Sequence, residues 1–266
     1  MEEKIISWQH KSIFYRIGGN GKTVVLLHGF GEEGNVWKQQ EAVLKKNFRV
    51  IIPDIPGSGS SDLIEDAGID VYAAAVKNIL DAEKLLQHKV SMIGHSMGGY
   101  IALAFAEKYP EYLNSIGLFH STAYADSSEK IEVRKKAIEF IADKGAYAFL
   151  KTSIPGLFAD AFTQTNMNAI EALIEKGKGF TAAALIQYYT AMLQRLDRTG
   201  VLKNFNRPVL FIAGAFDKAV PLQHTLEQCS MPAISEIHIL KNSTHMGMWE
   251  EKAKANAALL NFLSEI

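Results

Sequence analysis

The sequence predicts an α/β fold: a mainly parallel central sheet covered by helices on both faces, with a helical insertion late in the chain. Three observations carry this. Short runs rich in Val, Ile, Leu and Phe alternate with longer segments of helical periodicity, the pattern of strands buried on both faces. The 266 residues are 48% hydrophobic, enough apolar surface to offset the entropy of ordering the chain. Residues 121–206 show helical periodicity without a convincing strand and are too many to form a loop.

The sheet is expected to start with an antiparallel strand at 12–17, where Ile13, Tyr15 and Ile17 share one face. Buried strands follow at 23–27, 49–53, 89–93, 115–119, 208–213 and 236–240. Helical patterns occupy 35–46, 70–87, 97–108, 222–229 and 252–263. The organisation is therefore a core of 1–120 and 207–266 with a helical cap, 121–206, inserted into it. The insertion is rich in aromatic residues, among them Phe140, Phe149, Phe158, Phe162, Tyr188 and Tyr189, most of which should pack the insertion itself. No internal repeat is visible.

Composition removes several classes of function. With 28 Lys+Arg against 29 Asp+Glu the net charge is −1, which excludes a polybasic nucleic-acid binder. Cys229 is the only cysteine, so neither an internal disulfide nor a cysteine-based zinc cluster can form, and a reducing compartment fits. Residues 1–11 lack the apolar core of a signal peptide, and the longest apolar stretches fall short of the ~20 residues of a membrane span. A cytoplasmic protein is expected. The histidines at 10, 88, 224 and 238 show no metal-binding spacing. Gly21, Lys22 and Thr23 lack the earlier glycine of a phosphate loop, and Asp62 stands where a dinucleotide fingerprint beginning at Gly57 and Gly59 needs its third glycine. No cofactor and no metal is expected.

The most informative residues are Gly94, His95, Ser96, Met97, Gly98 and Gly99, a GxSxG run directly after an apolar strand. A serine at a sharp strand-to-helix turn brings the residues two positions either side nearly into contact, so both must be small. The helix opening at Met97 points its amides at the serine, where negative charge develops in acyl transfer. Such a serine needs a base, and the base an orienting acid. Asp217 follows the strand ending near Gly214, and His245 follows the last strand, giving the order Ser96, Asp217, His245. His28, Gly29, Phe30 and Gly31 close the strand at 23–27; the N–H of Phe30, with that of Met97, is the expected oxyanion hole.

With these residues in view, the chain resembles the α/β-hydrolase superfamily, in particular its lidded serine esterase-like members. The resemblance rests on the His28–Gly29 pair, the Asp54, Ile55, Pro56, Gly57, Ser58, Gly59 run, the GHSMGG elbow and the late Asp217 and His245, and it covers all but the insertion. It implies a Ser-His-Asp hydrolase. Haloalkane dehalogenases and epoxide hydrolases look similar in layout but carry aspartate where this chain has Ser96. Carbon–carbon bond hydrolases of aromatic breakdown keep the serine but often have Asn before it, against His95 here.

Simpler readings compete at several positions. Asp126 is the rival acid, but it lies several residues beyond its strand end. His28 is expected to orient the oxyanion loop rather than transfer protons. His95, His120, Phe158, Tyr188 and Met246 join His28 as expected pocket residues. The charged run 129–136 mixes signs at helical spacing and reads as a solvated helix face, leaving the pocket apolar. The expected activity is cleavage of a small or medium, largely apolar carboxylic ester by water, through an acyl-enzyme. Thioesterase, carbon–carbon hydrolase, perhydrolase and slow signal-receptor chemistry are the alternatives on the same residues.

Overall fold

In the computed structural model, which describes residues 1–266, the apolar runs build one eight-stranded sheet. Its strands are β1 (Glu2–Trp8), β2 (Lys11–Gly18), β3 (Thr23–Leu27), β4 (Arg49–Pro53), β5 (Val90–His95), β6 (Leu113–Phe119), β7 (Val209–Gly214) and β8 (Ser235–Leu240). The order is β1-β2-β4-β3-β5-β6-β7-β8; β1 and β2 are antiparallel to their neighbours and all other pairs are parallel. Every residue of β3, β5 and β7 is buried, which is why these strands read as unbroken apolar runs rather than alternating ones.

After β3 the chain turns to one side for β4 and then crosses to the other for β5. The carboxyl ends of β3 and β5 therefore flank the point at which strand order reverses, where open α/β sheets leave a crevice for ligands. The loop at 28–32 leaves β3 there, and the GxSxG run leaves β5 beside it.

Helices cover the sheet: α1 (Lys38–Leu44), α2 (Ile69–Ala82), α3 (Met97–Lys108), then α4 (Ser128–Lys144), α5 (Ala146–Ser153), α6 (Asp160–Lys176), α7 (Ala182–Leu193) and α8 (Thr199–Asn204), and finally α9 (Leu222–Gln228), α10 (Gly247–Glu250) and α11 (Lys252–Glu265). The five helices α4 to α8 all lie between β6 and β7, with no strand among them. Gly145, at φ +86°, turns the chain between α4 and α5 without the strain a side chain would bring.

Three local expectations need correction. Strand β1 was not expected, because its burial is slight: it is an edge strand, paired to β2 through a two-residue turn at Gln9 and His10, both at positive φ. The helix expected over 70–87 ends at Ala82, and Lys84 adopts φ 57° in the turn that follows. The helix expected over 35–46 is divided into a 3-10 turn, Gly34–Trp37, and α1. Cys229, the lone thiol, is half-buried and donates to the Leu226 carbonyl.

Candidate active site

Ser96 sits between β5 and α3 at φ 50°, ψ −115°, a left-handed conformation costly for any residue with a side chain. The turn is held from several sides. Its N–H donates to Phe119 O at 3.0 Å, and its carbonyl accepts from Ser121 Oγ at 2.7 Å. A Cβ on Gly94 would stand 2.1 Å from Gly98 O, and one on Gly98 would stand 2.4 Å from Leu27 O. Nothing larger than glycine fits at either position.

The loop after β3 packs directly on this turn. A Cβ on Gly29 would meet Ser96 Cβ at 3.2 Å and His95 Nδ1 at 3.0 Å. Phe30 N–H has no acceptor within the protein, and Met97 is the first residue of α3, whose amide no helical carbonyl takes. Both amides thus remain available beside Ser96.

Asp217 and His245 meet on the other side. Asp217 Oδ2 accepts from His245 Nδ1 at 2.8 Å and from His120 Nδ1 at 2.9 Å; its Oδ1 accepts from the N–H groups of Ala219 and Val220 at 2.8 and 2.9 Å. Burial pushes this carboxyl up, but the two histidines outweigh burial and hold it well below the usual carboxylate range. Burial brings His120 down to about 4 despite the carboxylate, so its imidazole is neutral. Its Nε2 then accepts from Gly247 N–H at 3.2 Å. Gly214 N–H lies 3.2 Å from Nδ1, a longer approach to a nitrogen whose proton is directed at Asp217. The ligand-type atoms of His120, Asp217 and His245 lie within 4.8 Å of one another, but both ring nitrogens already point at a single oxygen, so the trio makes a hydrogen-bonded set rather than a vacant metal site. The rival acid, Asp126, is elsewhere: Arg134 Nε lies 2.6 Å and Arg195 Nη2 2.8 Å from its carboxylate.

A cavity of about 130 Å³ opens over Ser96 and His245, lined also by Phe30, Glu32, His95, Tyr100, Lys130, Arg134, Leu157, Tyr189, Met192, Ala219 and Val220. Ser96 and His245 share this cavity without a direct hydrogen bond between them, a contact that commonly tightens only around substrate. Residues from the helical insertion form one wall. Leu157 O accepts from His245 N–H at 3.1 Å and from Thr244 Oγ1 at 2.5 Å, and Ala159 N–H donates to Glu250 Oε1 at 2.7 Å, so this part of the insertion is tied to the loop that carries His245.

Of the expected pocket residues, only His95 lines this cavity. His28 is fully buried: its Nε2 accepts from Ile55 N–H at 2.9 Å and its Nδ1 lies 2.8 Å from Gly29 O, which ties the loop after β3 to the loop after β4. His120 is behind Asp217. Tyr188 is buried with its hydroxyl donating to Ile55 O at 3.0 Å, and its neighbour Tyr189 faces the cavity instead, stacked on Phe30 at 4.1 Å between ring centroids. Phe158 stacks on Phe162 and lines an adjoining depression, and Met246 is wholly buried. One helical step decides the tyrosines: adjacent residues point about 100° apart.

The solvated-face reading of 129–136 is also corrected. Glu132 and Lys135 do face solvent, but Lys130 and Arg134 turn inward to the cavity, so its wall is not wholly apolar. Sequence reasoning also missed Glu32. Its Oε2 accepts from Gly29 N–H at 2.6 Å and from His95 Nδ1 at 2.9 Å, while His95 Nε2 lies 2.9 Å from His245 O. A carboxylate and a carbonyl only accept, so both His95 nitrogens must carry protons. Burial alone would lower its imidazole, but the Glu32 charge outweighs this and raises it; in turn His95 holds Glu32 below its usual range against burial. The signal for the inward cations was present: two like charges four residues apart on one helix face.

The chain is similar to known proteins in sequence and fold. A family profile described as "alpha/beta hydrolase fold" matches residues 22–135. The chain is 30% identical over 273 residues to a 2-hydroxy-6-oxononadienedioate/2-hydroxy-6-oxononatrienedioate hydrolase of Pseudomonas putida, covering 95% of this chain and 92% of that one. It is 28% identical to a 2-hydroxy-6-oxo-6-phenylhexa-2,4-dienoate hydrolase of Comamonas testosteroni, with 95% and 91% covered. Among solved structures, a thermophilic esterase from Thermogutta terrifontis superposes with a TM-score of 0.92 at 26% identity, over 100% of this chain and 99% of the other. An enol-lactonase from Burkholderia xenovorans shares the fold, with a TM-score of 0.90 at 21% identity over 98% and 100% of the two chains.

Proposed function

Because the chain belongs to the α/β-hydrolase family, we propose that it is a serine hydrolase that cleaves a small ester-like substrate through an acyl-enzyme on Ser96. The observation that carries this reading is the placement of Ser96, on a strained turn, in one cavity with His245, whose Nδ1 is held 2.8 Å from the Asp217 carboxylate. His245 Nε2 takes the proton of Ser96 as Oγ attacks the carbonyl carbon. The Phe30 and Met97 amides receive the oxyanion, and Asp217 fixes the tautomer and stabilises the imidazolium. The tetrahedral adduct collapses, and the alcohol leaves with the proton from His245. Water, deprotonated by the same histidine, then releases the acid. The helical insertion, 121–206, acts as the cap over the cavity, and no step needs a cofactor.

A second reading, hydrolysis of a carbon–carbon bond, is favoured by one finding: the relative from Pseudomonas putida is named for that class of substrate. The two are separated by assay. A fluorophosphonate probe should label wild type at Ser96 and leave Ser96→Ala unlabelled, and p-nitrophenyl esters should give sustained turnover. Loss of a 2-hydroxy-6-oxodienoate chromophore at a higher kcat/KM than any ester would favour the second reading. Equal labelling of the Ala variant would sink both, and a burst without turnover would identify a receptor-like protein.

A further inference from the structure

The two cations in the Ser96 cavity have no role in the chemistry above. Lys130 and Arg134 stand four residues apart on α4 and face the same space. Like charges at that spacing repel, and a cavity wall shields them from each other less well than bulk water does. The Asp126 pair gives Arg134 a structural role, but no carboxylate accounts for Lys130 in this wall.

Their partners do not neutralise them. Lys130 Nζ donates to an uncharged acceptor, the Ala219 carbonyl, at 2.5 Å. Arg134 shares the Asp126 carboxylate with Arg195, a buried second guanidinium. Two guanidiniums thus share one carboxylate, and Lys130 has no carboxylate partner. Glu32, the one acid that lines the cavity, is engaged by His95 and cannot offset the excess. Arg134 uses Nε and Nη2 on Asp126, which leaves Nη1 without an acceptor. Its guanidinium carbon lies 5.4 Å from the centre of the Tyr189 ring, which in turn stacks on Phe30, so the cationic wall and the Ser96 end of the cavity are joined by aromatic surface.

We propose that Lys130 and Arg134 form an anion subsite, which receives a carboxylate that the substrate carries away from its scissile bond. The proposal rests on the reading of Ser96 as nucleophile and adds the class of substrate. The N–H groups that the Lys130 ammonium does not spend on Ala219, with the unused Arg134 Nη1, suit the two oxygens of a carboxylate. Between the ends of the cavity, Tyr189, Met192 and Val220 offer apolar contact to a short spacer. The substrate is therefore an ester-like compound with a short apolar acyl chain ending in a carboxylate. The ion is bound where burial strengthens the pairing and where a neutral analogue leaves the cations unmatched.

The test compares the mono-p-nitrophenyl ester of adipic acid with its methyl-capped diester, which has the same chain but no charge. Wild type should favour the free acid in kcat/KM by roughly tenfold to a hundredfold, the range of a charge-assisted hydrogen bond. That ratio should collapse towards one in Lys130→Met and in Arg134→Gln, and recover in Arg134→Lys. A ratio near one in wild type, or one unmoved by the substitutions, would overturn the subsite while leaving the hydrolase reading intact. Binding is followed separately in Ser96→Ala by calorimetry with adipate and with the uncharged adipamide. Tighter binding of adipate, lost on adding Lys130→Met, supports the subsite even if no ester is turned over, an outcome that would count against the hydrolase reading alone. Equal binding of the two overturns the subsite.

Discussion

Asp217 gives one carboxylate oxygen to two histidines: His245 Nδ1 at 2.8 Å and His120 Nδ1 at 2.9 Å. His120 reaches this position only because both neighbouring backbones lack side chains. A Cβ on Gly214 would come within 2.9 Å of its ring, and one on Gly247 within 2.5 Å. The neutral imidazole therefore holds the acid from behind and takes Gly247 N–H from the segment just after His245.

Replacing His120 by Ala removes a donor from Asp217, so under the proposed mechanism the carboxylate keeps more of its charge for an imidazolium at His245. The acid limb of the kcat/KM profile should move to higher pH, with roughly a three- to tenfold loss at the optimum, the worth of one hydrogen bond. His120→Asn keeps a donor near the Nδ1 position and should restore the limb. An unmoved limb in the Ala variant would leave His120 a packing residue.

The two candidate acids should separate cleanly. Asp217→Asn is expected to cost on the order of 10⁴ in kcat by favouring the wrong tautomer of His245. Asp126→Asn leaves buried Arg195 and half-buried Arg134 around a missing charge and should lower stability by about 3 kcal/mol. Denaturant unfolding and kinetics on a minimal acetate ester read the two effects; a crippled Asp126 variant that is fully stable would reverse the assignment.

The Glu32–His95 pair sets a pH window for stability. His95 is raised above its ordinary 6.5, so its contribution is complete below that pH and is lost as pH climbs through the raised value. Glu32 is lowered from its ordinary 4.5, so its contribution is present above that pH and is lost as pH falls through the lowered value. Stability from the pair is greatest between about 4.5 and 6.5 and declines on both sides. Thermal melts across pH should show the alkaline decline in wild type and a flatter curve in His95→Gln. Identical curves would mean that the pair is not ionised.

Adjacent tyrosines should behave differently. Tyr189→Ala opens the cavity wall and should change the chain-length preference across p-nitrophenyl esters of two to eight carbons. Tyr188→Ala removes a fully buried ring and should cost about 3 kcal/mol or more of stability. A length profile altered by Tyr188→Ala alone would place the wrong ring at the substrate.

The parts legible in the sequence are those where a backbone constraint leaves few residue choices. Gly94 and Gly98 around Ser96 announce the strained turn, and β3, β5 and β7 announce themselves by burial on both faces. The illegible parts depend on rotation or on contacts far apart in the chain. Whether Tyr188 or Tyr189 faces the cavity turns on the phase of α7, which composition does not fix. Glu32 and His95 are 63 residues apart, and His120 and Asp217 are 97 apart, so no local pattern ties either pair. The run at 129–136 reads as solvated because its signs are mixed in the sequence, whereas on the helix Lys130 and Arg134 fall on the same side.

Leu157 meets the cavity with its side chain and holds the His245 amide with its carbonyl. An outward swing of residues 155–159 would pull on the main chain of His245 and on the Thr244 hydroxyl beside it. Uncovering the cavity along this edge and displacing the His245 main chain are thus one mechanical event. Under the proposed mechanism, the site is complete only while this edge stays latched.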